Sequence, residues 1–273
     1  MLIVVSPFAL FVDTDGVSTH STRQAGHDGA VIRSERHDGF SVITIDRPER
    51  ANALDTEHCS ELHRAVEAAE AAGDRAAVIT GVGSVFSAGA DFGGVSDDGF
   101  ADAHRNMLLH LAASPIPLVA AVNGHAIGAG MQVAIACDLR VVDRAATFAI
   151  PTARLGLAVD PWTIERLAGL VGGGPARRIL MTCDRLAADD PAIGALVDRT
   201  GDLDDAIALA ADQSTMAPLT LSYIKTAVDA AASPSDSSRD AAQHAFDRIW
   251  ASGDASEGLR ARREKRAPDF KGA

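Results

Sequence analysis

The chemistry in this sequence starts from two runs of small residues and the few polar side chains near them. In "GHAIGAGMQVAIACD", residues 124–138, Gly128-Ala129-Gly130 follows an expected strand and opens an expected helix. Backbone N–H groups at such a start favour nearby negative charge. In "FSAGAD", residues 86–91, Ala88-Gly89-Ala90-Asp91 follows a strand expected to end near Thr80. Both runs fall past the carboxyl end of a strand, where α/β folds hold their ligands. Two N–H groups converging on one carbonyl would form an oxyanion hole, and small residues would let a ligand come close. Tight packing alone would also account for either turn. Neither has the spacing of a dinucleotide fingerprint or a P-loop.

The side chains around these turns are unusual for an acid–base site. Gln132, the first polar residue of the opening helix, is an amide and cannot take a proton near neutral pH. Asp160, in "LGLAVDPWTIERL", is a carboxylate suited to act as base or nucleophile. It also precedes Pro161, and Asp before Pro at the first helical position is a common helix cap, so the two roles stand together. His125 is placed to line a pocket, although no acid lies at a useful spacing. Trp162 reads as a packed aromatic or a pocket wall. Asp138 is expected to make structural hydrogen bonds. The nine histidines show no metal-ligand spacing, so no metal is expected.

The elements that must position these groups alternate between strand and helix. "AVIRSERHDGFSVITIDRP" reads as a hairpin turning at His37-Asp38-Gly39. Asp55 is expected to cap a helix over about 56–72, which Gly73 ends. "AAVITG" and "IPLVAAVNG" are short buried strands, with a loop of small residues and a helix near 99–113 between them. "LRVVDRAATFAI" supplies two more strands, and from Trp162 onward the chain reads as almost all helix. Alternation with apolar strands predicts an α/β layer fold with parallel pairing. The expected divisions are a loosely ordered arm over 1–29, a core over 30–200 and a helical region over 201–273. A helix of the last region is expected over about 238–250.

Composition narrows the function classes. The 273 residues are 47% hydrophobic, enough for a full core, and only 4% aromatic, so packing relies on Ala, Val, Leu and Ile. The formal charge of −12 argues against a general nucleic-acid binder. Three widely spaced cysteines read as free thiols of a reducing, cytoplasmic compartment. The apolar start "MLIVVSPFALFV" is far shorter than the roughly 20 residues of a membrane span, so no stable membrane insertion is expected. The one dense basic cluster comprises Arg260, Arg262, Arg263, Lys265 and Arg266. It reads either as a solvated helix face or as a contact for phosphate.

Taken together, "TIDRPERANAL", "FSAGAD", "PLVAAVNGHAIGAGMQVAIACDLRVV", "FAIPTARLGLA" and "EGLRARREKRAPDFKG" resemble the enoyl-CoA hydratase/isomerase (crotonase) family, in order and spacing, over about residues 31–273. Within it they are most similar to a mycobacterial, non-catalytic branch that binds acyl-CoA. The resemblance implies a ClpP-like α/β fold of stacked ββα turns and a C-terminal helical region that forms a homotrimer or a dimer of trimers. It implies a coenzyme A thioester as ligand or substrate, no permanently bound cofactor, and partners among other fatty-acid synthesis proteins. Residue by residue, it gives an oxyanion hole from the amides of Ala90 and Ala129. Coenzyme A contacts fall on Arg50, Ala51, Ala88, Phe270 and Lys271, the last two commonly closing over the nucleotide of a neighbouring subunit. His125 and Trp162 fall at the acyl pocket.

The hydratases' two glutamates correspond here to Gln132 and Thr152. Neither replacement exchanges protons near pH 7, so hydratase chemistry is not expected. Asp160 stands where the related chlorobenzoyl-CoA dehalogenase has its nucleophile. The resemblance therefore implies an acyl-CoA-binding protein. Alternatives are a thioester enzyme using Asp160, or a protein with residual hydratase activity.

Overall fold

The computed structural model describes residues 30–91, 99–232 and 234–273. The expected arm over 1–29 and part of the small-residue loop lie outside these. The chain begins with the expected hairpin, β1 (Ile32–Arg36) antiparallel to β2 (Ser41–Ile45). Asp55 then caps α1 (Thr56–Ala71), its carboxylate accepting the His58 amide at 3.0 Å.

A two-strands-then-helix unit follows three times. The first is β3 (Ala77–Gly81), β4 (Val85–Ser87) and α2 (Phe100–Ala113); the second is β5 (Leu118–Val122), β6 (His125–Ile127) and α3 (Ala129–Ala136). The third is β7 (Leu139–Val142), β8 (Thr147–Ala149) and α4 (Pro161–Val171). Each unit gives its first strand to a six-stranded sheet and its second to a four-stranded sheet. Within both sheets the strands contributed by successive units pair in parallel. All five residues of β3 and of β5 are buried, as parallel strands covered on both faces require.

The sequence reading needs correction in the short strands. The small-residue loop and the opening turn contain β4 and β6. Beyond Trp162, α5 (Gly173–Thr182) is followed by β9 (Leu186–Ala187) and β10 (Arg199–Thr200). Strands of two or three residues are too short to show an alternating pattern, and pairing with distant partners makes them. Four helices complete the chain: α6 (Leu203–Ser214), α7 (Pro218–Ala232), α8 (Asp236–Ala251) and α9 (Gly253–Glu264). α6 buries Ala206, Leu209 and Ala210 against Val42, Val78, Val119 and Val141 of the larger sheet.

Partly buried ion pairs fix these layers. Asp138 accepts the Leu118 amide at 2.7 Å and meets Lys225 Nζ at 2.7 Å, tying α7 to the edge of β5. This is the structural role expected of it. Arg140 is buried on β7 and donates to the carbonyls of Leu196 (3.0 Å) and Cys137 (3.1 Å) and to Asp198 (2.7 Å). Arg140→Met would leave all three acceptors without this donor. A loss of about 3 kcal/mol in unfolding free energy is expected, measured by urea denaturation.

Candidate functional site

The two small-residue turns meet. A methyl group on Gly89 would lie 2.7 Å from the Ile127 carbonyl oxygen and 3.2 Å from the Ala129 nitrogen, and Gly89 has a φ of +98°. A methyl group on Gly130 would lie 2.3 Å from the Ser87 carbonyl oxygen. Only glycine lets the backbones come this close, and only glycine adopts that φ without strain. Leu54 completes the arrangement from a third segment: its amide donates to the Gly89 carbonyl at 2.8 Å, and its carbonyl accepts the Asp91 amide at 2.7 Å. This alternation leaves the intervening Ala90 amide outside the ladder. Gly128, ahead of α3, offers no side chain to cap it. Among the described residues, neither the Ala90 nor the Ala129 amide donates to a protein acceptor.

Both residues line one cavity of about 460 Å³, whose wall also includes Ala88, Gln132, Thr152 and Asp160. Asp160 caps α4, its Oδ1 accepting the Thr163 amide at 3.1 Å. Its Oδ2 accepts the Thr163 hydroxyl at 2.6 Å and Gln132 Nε2 at 3.3 Å. Gln132 Nε2 also donates to Thr163 Oγ1 at 2.7 Å. The order of donors is forced. The Thr163 hydroxyl has one proton, which goes to the carboxylate, so the Gln132 amide must turn its NH2 toward that oxygen. Thr163 is fully buried and Gln132 is 6% exposed, so this chain is a fixed part of the wall.

The other residues singled out from the sequence fall elsewhere. Ala51 adjoins the cavity through its carbonyl, which accepts the Ala88 amide at 3.0 Å, and the neighbouring Arg50 is exposed. Ala51 and Asn52 both have left-handed backbone angles. Asn52 holds that turn with its side chain, donating to the Val82 and Val85 carbonyls at 2.9 and 2.6 Å. His125 and Trp162 are not among the residues lining this cavity. His125 is bound to Thr147 Oγ1 at 2.8 Å between paired strands, and Trp162 packs against the main core. Phe270 and Lys271 also lie outside this wall. The Phe270 carbonyl accepts Arg75 Nη1 at 3.0 Å, and Asp254 accepts the Lys271 amide at 2.7 Å. In the basic cluster, Arg260 and Arg266 are both bound to Glu257.

Sequence reasoning missed the contribution of α2. His104 lines the cavity, is 8% exposed, and stacks on Phe100 with ring centroids 5.4 Å apart and planes 9° apart. Its Nε2 is buried without a hydrogen-bond partner among the described residues. The signal was present: Phe100, His104, Met107, Leu108 and Leu111 form one helical stripe, and His104 is its polar member. Burial lowers the His104 pKa to about 4, against the opposing pull of the Asp160 carboxylate.

One His-carboxylate grouping also escaped the spacing argument. Donor atoms of His63, Glu67 and His110 lie within 4.8 Å of one another. The two imidazoles stack at 4.3 Å with planes 13° apart, so one ion cannot lie in both ring planes.

The fold and cavity define a crotonase-fold protein. The chain matches the enoyl-CoA hydratase/isomerase family over residues 35–273 and belongs to that family. It is 42% identical over 239 residues to the Mycobacterium tuberculosis protein named "Probable enoyl-CoA hydratase echA6", covering 85% of this chain and 97% of that one. It is 31% identical to the 2,3-dehydroadipyl-CoA hydratase of Escherichia coli, covering 85% and 94%. Among solved structures, an enoyl-CoA hydratase from Geobacillus kaustophilus superposes with a TM-score of 0.80 at 31% identity, covering 89% of this chain and 99% of that one.

Two outcomes are expected from this geometry. Gly130→Ala drives a methyl group into the Ser87 backbone and should lower the melting temperature by several degrees, measured by calorimetry. The lowered His104 pKa means that the folded state favours neutral imidazole. Its contribution is therefore present above the unfolded value near 6.5 and lost as pH falls toward about 4. Between about pH 7.5 and about pH 5, the wild type should lose about 2 kcal/mol more unfolding free energy than His104→Phe.

Proposed function

We propose that this protein binds a fatty-acyl-CoA in the cavity and does not hydrate it. The thioester carbonyl accepts hydrogen bonds from the amides of Ala90 and Ala129. The observation carrying this reading is that pair of amides, unclaimed by any described residue, on the wall of one cavity. Arg50, Ala51 and Ala88 are then contacts for the coenzyme A portion. Phe270 and Lys271 close over the nucleotide of a neighbouring subunit.

Hydration needs groups that hold a water and move its protons, and positioned acid–base groups contribute typically about 10²–10⁴-fold. Gln132 and Thr152 stand where the family's glutamates are expected. Gln132 also has its NH2 committed to Thr163 and Asp160. With no proton-transfer group at either position, the oxyanion pair grips a ground-state carbonyl. The protein acts as a carrier or sensor in fatty-acid metabolism, alongside fatty-acid synthesis proteins. Among the described residues no helix is long and apolar enough to cross a membrane, in keeping with a cytoplasmic role.

A second reading has one observation in its favour: Asp160 faces the cavity. A carboxylate there is able to serve as base or nucleophile on a bound thioester. Its three hydrogen bonds from Thr163 and Gln132 oppose this role by stabilising the resting carboxylate.

The C-terminal helices support assembly into a homotrimer or a dimer of trimers. α7–α9 leave Val228 60%, Trp250 67% and Leu259 60% exposed, and a neighbouring subunit is expected to cover this apolar surface.

Acyl-CoA at about a hundredfold excess over its dissociation constant should stabilise the protein by about 2.7 kcal/mol, read as a rise in melting temperature. Absence of any rise contradicts the binding reading. A panel of enoyl- and acyl-CoA thioesters should show no turnover. Turnover that disappears in Asp160→Asn while binding survives would establish the enzymatic reading instead.

A further inference from the structure

We propose that His104 recognises an oxygen atom carried on the acyl chain, so that the cavity selects oxygenated acyl thioesters over plain saturated ones. The inference rests on the acyl-CoA reading and deepens it.

The wall that holds the Ala90 and Ala129 amides also holds His104, whose Nε2 is buried and has no hydrogen-bond partner among the described residues. A buried polar atom left unpaired is destabilising, because it has given up its hydrogen bonds to water. Asp160 and the Gln132 NH2, on this wall, are engaged with each other and with the buried Thr163 behind them. That closed chain leaves His104 without a donor or acceptor from α3 or α4.

The ring's surroundings keep it ready for a neutral partner. Burial outweighs the Asp160 carboxylate and leaves the imidazole uncharged at neutral pH, so either a hydroxyl or a keto oxygen can be matched by choice of tautomer. The parallel stack on Phe100 fixes the ring plane. A half-turn about the Cβ–Cγ bond returns the ring to the same plane, preserves the stack and exchanges the ring's two edges, which lets a nitrogen stand where a carbon stood. With the thioester carbonyl at Ala90 and Ala129, the acyl chain continues into the same cavity, along α2. An unsubstituted chain leaves the nitrogen unpaired. A hydroxyl or keto oxygen pairs with it, and sites built on such a bond discriminate strongly against ligands that lack it.

The test is calorimetric binding of acyl-CoA thioesters of one chain length, either unsubstituted or carrying a hydroxyl on successive carbons from the thioester. The wild type should bind one hydroxylated member about tenfold tighter or more than the unsubstituted thioester. His104→Phe, which keeps an aromatic ring against Phe100, should lose that preference, read as the ratio of the hydroxylated to the unsubstituted affinity falling to about one. His104→Gln, which restores a hydrogen-bonding group, should regain part of it and keeps the proposal testable if the Phe variant misfolds. Equal affinities across the series in the wild type overturn the proposal and leave acyl-CoA binding intact. A preference unchanged in His104→Phe also overturns it. Failure to bind any thioester overturns both this proposal and the reading beneath it.

Discussion

The distance between Gly130 and the Ser87 carbonyl oxygen, where a methyl group would lie at 2.3 Å, governs this molecule. At that point the end of β4 in the first ββα unit presses on the first turn of α3 in the second. β4 and β6 must run side by side to bring the turns together, and both are only three residues long. All eight residues of α3 are buried, which holds the first turn of that helix against the neighbouring unit. The amides of Ala90 and Ala129 are thus placed by backbone packing, and any side chain is tolerated there whose Cβ fits. That is why alanine serves at both positions.

The second constraint is electrical. Asp160 supplies the negative charge in the chain that runs through Thr163 to Gln132, and each oxygen in it is matched to a proton. A glutamate at position 132 would set a second carboxylate against Asp160 and Thr163 and remove the donor that the Thr163 oxygen needs. The amide therefore belongs to the local structure as well as to the proposed absence of hydration chemistry. His104 stands outside this chain, buried and neutral, on the wall of the same cavity.

Much of the framework was legible in the residues. The hairpin turn at His37–Gly39, the Asp55 cap, the apolar β3 and β5 and the start of α3 all follow from local pattern. Asp160 was readable as a cap because Asp-Pro at a helix start is a strong local signal. β4, β6, β9 and β10 were not legible, since two or three residues carry no periodicity and their partners are distant in sequence. His125 is close to the turn in sequence, which suggests closeness to the cavity. Its strand instead carries it to Thr147. His104 was passed over for the opposite reason, being far from either turn and reaching the wall only through the packing of α2.

The central claim is that the Ala90 and Ala129 amides grip a thioester carbonyl. Isotope-edited infrared spectroscopy of acyl-CoA labelled with ¹³C at the thioester carbonyl tests this directly, because hydrogen bonding weakens the C=O bond. A bound carbonyl band at lower frequency than that of the free thioester in buffer, with the thioester unchanged over time, is the result the structure predicts. A band at or above the free frequency in a saturated complex would contradict it.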